Sequence, residues 1–165
     1  MDYPALVVFD LDFTLWDCGG VWVDCAAWPF REKGGQVYDA RGSRFHIYND
    51  VPEILDELDD AGCEIALASR TGEPVWAQWV LDALNMRQRF HYEQIYPGSK
   101  LQHFRQLREE SAVDYEDMVF FDDEHRNIAE VGGLGVTSVH VHRGVHRQAF
   151  DSGMDEWRLR RGSTR

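Results

Sequence analysis

The sequence predicts a three-layer α/β fold, a parallel sheet with helices on both faces, and three observations lead to it. Short apolar runs at residues 5–9, 64–68 and 118–121 recur along the chain, with segments of helical periodicity between them. These runs are apolar almost throughout instead of alternating, the pattern of strands buried on both faces. Each is followed at once by side chains able to do chemistry: Asp10 and Asp12, Ser69, and Asp122 with Asp123. Open sheets of this kind bind their ligands beyond the carboxyl ends of the strands. The predicted fold therefore gathers these groups on one rim.

The elements follow in order. The run at 5–9 is the first strand, and an irregular, aromatic-rich stretch occupies about 16–48. Val51, Ile54, Leu55 and Leu58 then recur at helical spacing, with Asp50 as N-cap, Pro52 in the first turn and Gly62 as terminator. Residues 64–68 form a second strand ending at Ser69. Pro74 opens a helix whose predicted apolar stripe is Val75, Trp76, Trp79, Val80 and Ala83. Residues 91–96 read as a strand, Pro97 and Gly98 turn the chain, and Lys100 heads a helix carrying Leu101, Phe104 and Leu107. The strand at 118–121 ends in Asp122 and Asp123. A short helix over 126–131 is stopped by Gly132 and Gly133, and a strand over 137–141 follows. The segment from about 146 to 165 reads as a final helix with a basic tail.

Length and composition narrow the class. At 165 residues, with 44% hydrophobic and 28% charged residues, the chain reads as one globular domain spanning 1–165. No apolar run has the length of a membrane span, and no charged-then-apolar leader precedes the first strand, so the expectation is a cytoplasmic protein without a membrane partner. Cys18, Cys25 and Cys63 are odd in number and lack paired-ligand spacing, which reads as reduced thiols. The net charge of −12 argues against nucleic acid as a partner. An anionic substrate would need positive charge concentrated locally.

The most informative residues are Asp10 and Asp12. Two carboxylates two positions apart at the end of a buried strand are costly unless a cation sits between them. They are either two turn-forming aspartates or part of a divalent-metal and phosphoryl site. Ser69 alone reads as a helix cap. Lys100 sits at a helix start, an unfavourable end of the helix dipole for a cation, which favours a functional role.

Four segments together resolve that choice: 8–16 (Val-Phe-Asp-Leu-Asp-Phe-Thr-Leu-Trp), 68–71 (Ala-Ser-Arg-Thr), 97–100 (Pro-Gly-Ser-Lys) and 120–128 (Phe-Phe-Asp-Asp-Glu-His-Arg-Asn-Ile). In this order the chain resembles the haloacid-dehalogenase-like phosphohydrolases, and within them the magnesium-dependent phosphatase 1 family, from about residue 5 to 142. The resemblance implies a Rossmann-like core with a small aromatic flap in place of a cap domain. It also implies a Mg²⁺-dependent phosphomonoesterase acting through an aspartyl-phosphate.

The resemblance distributes the roles. Asp10 would attack phosphorus and Asp12 would act as general acid and base. Mg²⁺ would be held by the Asp10 carboxylate, the Asp12 backbone carbonyl and the Asp122 carboxylate; all-oxygen ligands suit that ion. Leu11, Asp12, Ser69, Arg70 and Lys100 would bind the substrate phosphate, and Lys100 would stabilise transition-state charge. Thr14 either holds the nucleophile loop or caps a turn. Arg70 binds phosphate or the leaving group, or else forms a structural ion pair. Asp123 either binds a metal water or caps the following helix. Glu124 and Arg126 read as surface residues, and the seven histidines carry no chemistry.

Within the flap, Trp16, Trp22, Trp28, Phe30, Tyr38, Phe45 and Tyr48 read as packing more than as substrate stacking. A flap alone leaves the site open to a phosphotyrosine protein or a sugar phosphate. The competing reading is a non-catalytic domain or a phosphoacceptor signalling module on a related fold. In such a module a middle strand ends in the accepting Asp; here it ends in Ser69.

Overall fold

The computed structural model describes residues 2–163; Met1, Thr164 and Arg165, with the end of the basic tail, lie outside it. The first strand, β1 (Leu6–Phe9), is buried at every position. Its side chains alternate between two apolar clusters, Leu6 and Val8 on one face of the sheet and Val7 and Phe9 on the other. A strand with no polar face has to be covered twice, and the rest of the fold supplies both covers.

The insertion after β1 forms a second, antiparallel sheet. It comprises β2 (Trp16–Asp17), β3 (Arg31–Lys33), β4 (Gln36–Tyr38) and β5 (Arg44–Ile47), in spatial order β2-β5-β4-β3. Its aromatics interlock: Trp28 stacks on Trp76 at 5.3 Å between centroids, and Phe30 meets Phe45 edge-on at 4.9 Å. Most of these rings are packing, as expected. Trp22 differs, being 52% exposed beside the rim of the main sheet.

Next come α1 (Val51–Asp60), β6 (Glu64–Ser69), α2 (Pro74–Ala83), β7 (Tyr92–Ile95) and α3 (Lys100–Ser111). The chain ends with β8 (Met118–Asp122), α4 (His125–Gly132), β9 (Thr137–His140) and α5 (Arg147–Gly162). All pairings of the main sheet are parallel, in order β7-β6-β1-β8-β9. Phe104 and Leu107 of α3 and Val131 of α4 cover Leu6 and Val8. Ile54 and Leu58 of α1, with Phe150 and Trp157 of α5, cover the opposite face. Each such side chain removed from water contributes ~1.5–3 kcal/mol.

Two local expectations are corrected. Asp50 does not cap α1 with its side chain; its carboxylate instead accepts the Arg147 amide at 2.9 Å, at the start of α5. A donor distant in sequence and near in space outcompetes the local amides. In α2, Val80 enters the core and Trp76, Trp79 and Ala83 pack against it as expected, but Val75 is 68% exposed and Ala77 and Leu81 are buried in its stead. The helix packs against two layers at once, with Trp76 and Trp79 turned to the flap rings Trp28 and Phe30.

The register aligns the three central strand ends. Phe9 lies opposite Leu67 of β6 and Phe121 of β8. The residues just beyond this level, Asp10, Ser69 and Asp122, therefore leave three adjacent strands at the same edge.

Candidate active site

At the end of β1 the Asp10 amide makes one more ladder bond, to the Phe121 carbonyl at 3.0 Å, and then the chain turns. The Leu11 carbonyl accepts the amides of Thr14 at 3.1 Å, Leu15 at 2.9 Å and Trp16 at 3.3 Å. Phe13 takes a left-handed conformation, φ 59°, that bulky residues seldom adopt. This tight turn brings the Thr14 hydroxyl back onto Asp10, donating to Oδ2 at 3.3 Å. The Leu11 side chain is buried in the core, so any contact with a phosphate falls to its main chain.

Lys100 enters from α3. Ser99 caps that helix, its Oγ accepting the Leu101 amide, so the helix begins at the lysine. The Lys100 side chain is 1% exposed and its Nζ donates to Asp10 Oδ1 at 2.9 Å and to Asp122 Oδ2 at 2.6 Å. Burial alone would lower its pKa, but the two carboxylates outweigh burial and raise it. Asp122 is further held by the Glu124 amide at 2.8 Å and by Asn127 Nδ2 at 3.0 Å.

Oxygens of Asp10, Asp122 and Asp123 all lie within 4.8 Å of one another. One ammonium cannot neutralise three carboxyl groups. Burial and the neighbouring Asp10 charge push the pKa of Asp122 up to about 6 and that of Asp123 up to about 9. A cluster of hard oxygen donors short of positive charge suits Mg²⁺, so the residues present fit that ion. The Asp12 carboxylate takes no part in this cluster. It turns to the flap, accepting Trp16 Nε1 at 2.8 Å and the Val23 amide at 3.1 Å. Burial and the Asp10 charge raise its pKa to about 7, against the lowering effect of those two hydrogen bonds. Asp123 does not cap α4 with its side chain, since that helix has no side-chain cap.

Above the cluster lies a cavity of about 270 Å³ lined by residues that include Asp10, Asp12, Ser69, Arg70 and Lys100. Ser69 is buried, with its Oγ accepting the Thr71 amide at 3.3 Å. It caps no helix: Thr71 Oγ1 accepts the Glu73 amide just before α2. Arg70 Nη1 donates to Asn127 Oδ1 at 3.3 Å, and its Nε is buried without a hydrogen-bond partner among the described residues. That arginine faces an amide where a structural ion pair would need a carboxylate.

The walls also include residues to which the sequence pointed no role. Asn127 bridges Asp122 and Arg70. Its signal was a polar side chain on the inward face of a short helix. Asp24 accepts the Gly72 amide at 3.0 Å and so ties the flap to the loop after β6. Arg126, expected as surface, is exposed and paired with Glu130, yet lines the cavity, as do Glu124 and Trp22. A second hollow, about 450 Å³, opens near Ala5, Gly135 and Thr137 and contains none of the rim residues. Among the described residues no helix is long and apolar enough to cross a membrane.

Known proteins resemble this chain along most of its length. The Acid Phosphatase family profile matches residues 2–160. The chain is 40% identical over 154 residues to the human protein Magnesium-dependent phosphatase 1, spanning 92% of this chain and 86% of that one. It is 37% identical over 150 residues to a HAD-like hydrolase superfamily protein of Schizosaccharomyces pombe, spanning 83% and 85%. Among solved structures, L-2-haloacid dehalogenase from Xanthobacter autotrophicus superposes with a TM-score of 0.62 at 13% identity, over 90% of this chain and 81% of that one. The last likeness concerns the fold alone.

Proposed function

Starting from a chain that belongs to the Acid Phosphatase family and is a magnesium-dependent phosphatase, we propose that it cleaves compact phosphate monoesters through an aspartyl-phosphate on Asp10. One observation carries this reading: a buried ammonium, Lys100, lies within 2.9 Å of both the Asp10 and the Asp122 carboxylates, beneath an open cavity. Purely structural ion pairs do not require an open cavity above them.

Mg²⁺ would be held by the carboxylates of Asp10 and Asp122 and the Asp12 main-chain carbonyl, with Asp123 beside them. When bound, it screens the attacking carboxylate from the phosphate dianion. The chain's own residues do the rest. An Asp10 carboxylate oxygen forms a bond to phosphorus while the ester P–O bond breaks, and that electron pair leaves with the alcohol oxygen. Asp12 gives that oxygen its proton. Water then attacks the acyl-phosphate, Asp12 takes back a proton, and the bond between phosphorus and Asp10 breaks to release inorganic phosphate. Lys100 opposes the charge that accumulates, and the Ser69 hydroxyl with Arg70 holds the phosphoryl oxygens.

The cavity is smaller than the ~300–1,000 Å³ usual for drug-sized ligands. That size supports phosphotyrosine-type or sugar-phosphate esters as substrates. The three free cysteines support work in the reducing cytoplasm. Hydrolysis of an aryl phosphate should stop on chelation and return with Mg²⁺, and Asp10→Asn should be inactive. Full turnover by Asp10→Asn would defeat the nucleophile assignment. A phosphoprotein that persists for hours with wild-type protein and a small phosphodonor would favour the signalling module instead.

A further inference from the structure

The flap, and not the sheet, holds Asp12. Its Oδ1 accepts from the Trp16 indole at 2.8 Å and from the Val23 amide at 3.1 Å, with the Cys18 thiol 3.7 Å away. The Val23 amide also reaches Oδ2 at 3.1 Å. An indole N–H and a backbone N–H can only donate. The Val23 amide is shared equally by both oxygens, so the indole singles out Oδ1, which is the carbonyl oxygen whenever the group carries its proton. The proton then belongs on Oδ2.

The local chain makes this arrangement rigid. Phe13 donates its amide to the Trp16 carbonyl at 2.8 Å, folding the indole back over Asp12 four residues earlier. Trp16 is itself the first residue of β2, paired with Ile47 of β5 and fully buried. The ring has no room to swing away.

We infer that Trp16 is a positioning residue: its indole N–H fixes the rotation of the Asp12 carboxyl group so that the proton is presented to the departing ester oxygen. The inference rests on the reading of Asp12 as general acid. In the step concerned, the O–H bond of Asp12 breaks and that of the product alcohol forms, as the electron pair of the P–O bond moves to the leaving oxygen. A leaving group that is stable as an anion gains little from the proton; an alkoxide gains much.

The test compares kcat/KM for two esters in saturating Mg²⁺, para-nitrophenyl phosphate and glycerol 2-phosphate. For Trp16→Phe the alkyl ester should fall by roughly 10-fold or more and the nitrophenyl ester by less than about 3-fold. Trp16→His, which restores a ring N–H, should recover part of the loss on the alkyl ester. Equal losses on both esters, or none on either, would overturn the inference, since mere damage to the flap does not discriminate between leaving groups. Asp12→Asn measured on the same pair separates the two layers. If it shows no dependence on the leaving group, the reading of Asp12 fails. If it does and Trp16→Phe does not, only the role of Trp16 fails. Should Trp16→Phe not fold, benzothienylalanine placed at position 16, which keeps the shape and lacks the N–H, reads the same ratio.

Discussion

Asp10 and Asp12 stand two residues apart, yet the rim of the parallel sheet holds the first and the flap holds the second. On the rim the partners are ions: Lys100 at 2.9 Å, with Asp122 and Asp123 crowded beside it. In the flap the partners are neutral donors, an indole and a backbone amide. A carboxylate paired with a buried ammonium beneath the cavity is placed for the nucleophilic attack proposed for Asp10. A buried carboxyl held by neutral donors, with its pKa raised to about 7, exchanges a proton near neutrality. On the proposed mechanism, two identical side chains acquire two tasks from the regions that enclose them.

The sharpest way to break the comparison is to remove a rim charge. Asp10→Asn should lower kcat by at least about 10³-fold, whatever the leaving group, because in the proposed mechanism the Asp10 carboxylate is the group that bonds to phosphorus. Lys100→Met comes next. It leaves Asp10 and Asp122 facing each other without their cation, and should cost about 3–5 kcal/mol of stability in denaturant titration without metal. In the same variant kcat should fall roughly 10²–10³-fold. If Lys100→Met were as stable as wild type and fully active, the ion cluster would not be what organises the rim.

Smaller effects sharpen the division. Arg70→Ala should raise KM for a monoester by about 10-fold and change kcat less, because the residue lines the cavity outside the Asp10, Lys100 and Asp122 cluster and its proposed role is to bind the phosphate. A kcat loss at constant KM would move Arg70 into that cluster. Gly144→Ala probes the seam between the two regions. Gly144 donates its amide to the Phe13 carbonyl at 3.0 Å, and a Cβ there would overlap the Tyr48 ring at a φ of +86°. The expected cost is ~1–3 kcal/mol by thermal unfolding. An unchanged melting temperature would mean that this seam is loose.

The sheet was the most legible part of the sequence. Strands buried on both faces must be apolar at every position, so β1, β6 and β8 are visible as runs, and the polar residue ending each run marks the rim. The flap was legible only as aromatic content. Its strands are two to four residues long and pair across the insertion, and so short a segment carries no periodicity. Asp50 and Val75 show the same limit at single residues: one is claimed by an amide 97 residues away, the other displaced because α2 serves two layers. The turn of Asp12 toward Trp16 depends on the left-handed Phe13, a conformation that residue type does not announce.

The central claim is that Asp10 takes the phosphoryl group and Asp12, on the flap side, passes the protons. Acid quenching of Asp12→Asn during turnover of para-nitrophenyl phosphate with Mg²⁺, followed by peptide mass spectrometry, tests it most directly. The account predicts a phosphorylated peptide with the modification on Asp10, in higher yield than from wild type. Phosphate on any other residue, or hydrolysis continuing with Asp10 unmodified at every quench time, would contradict it.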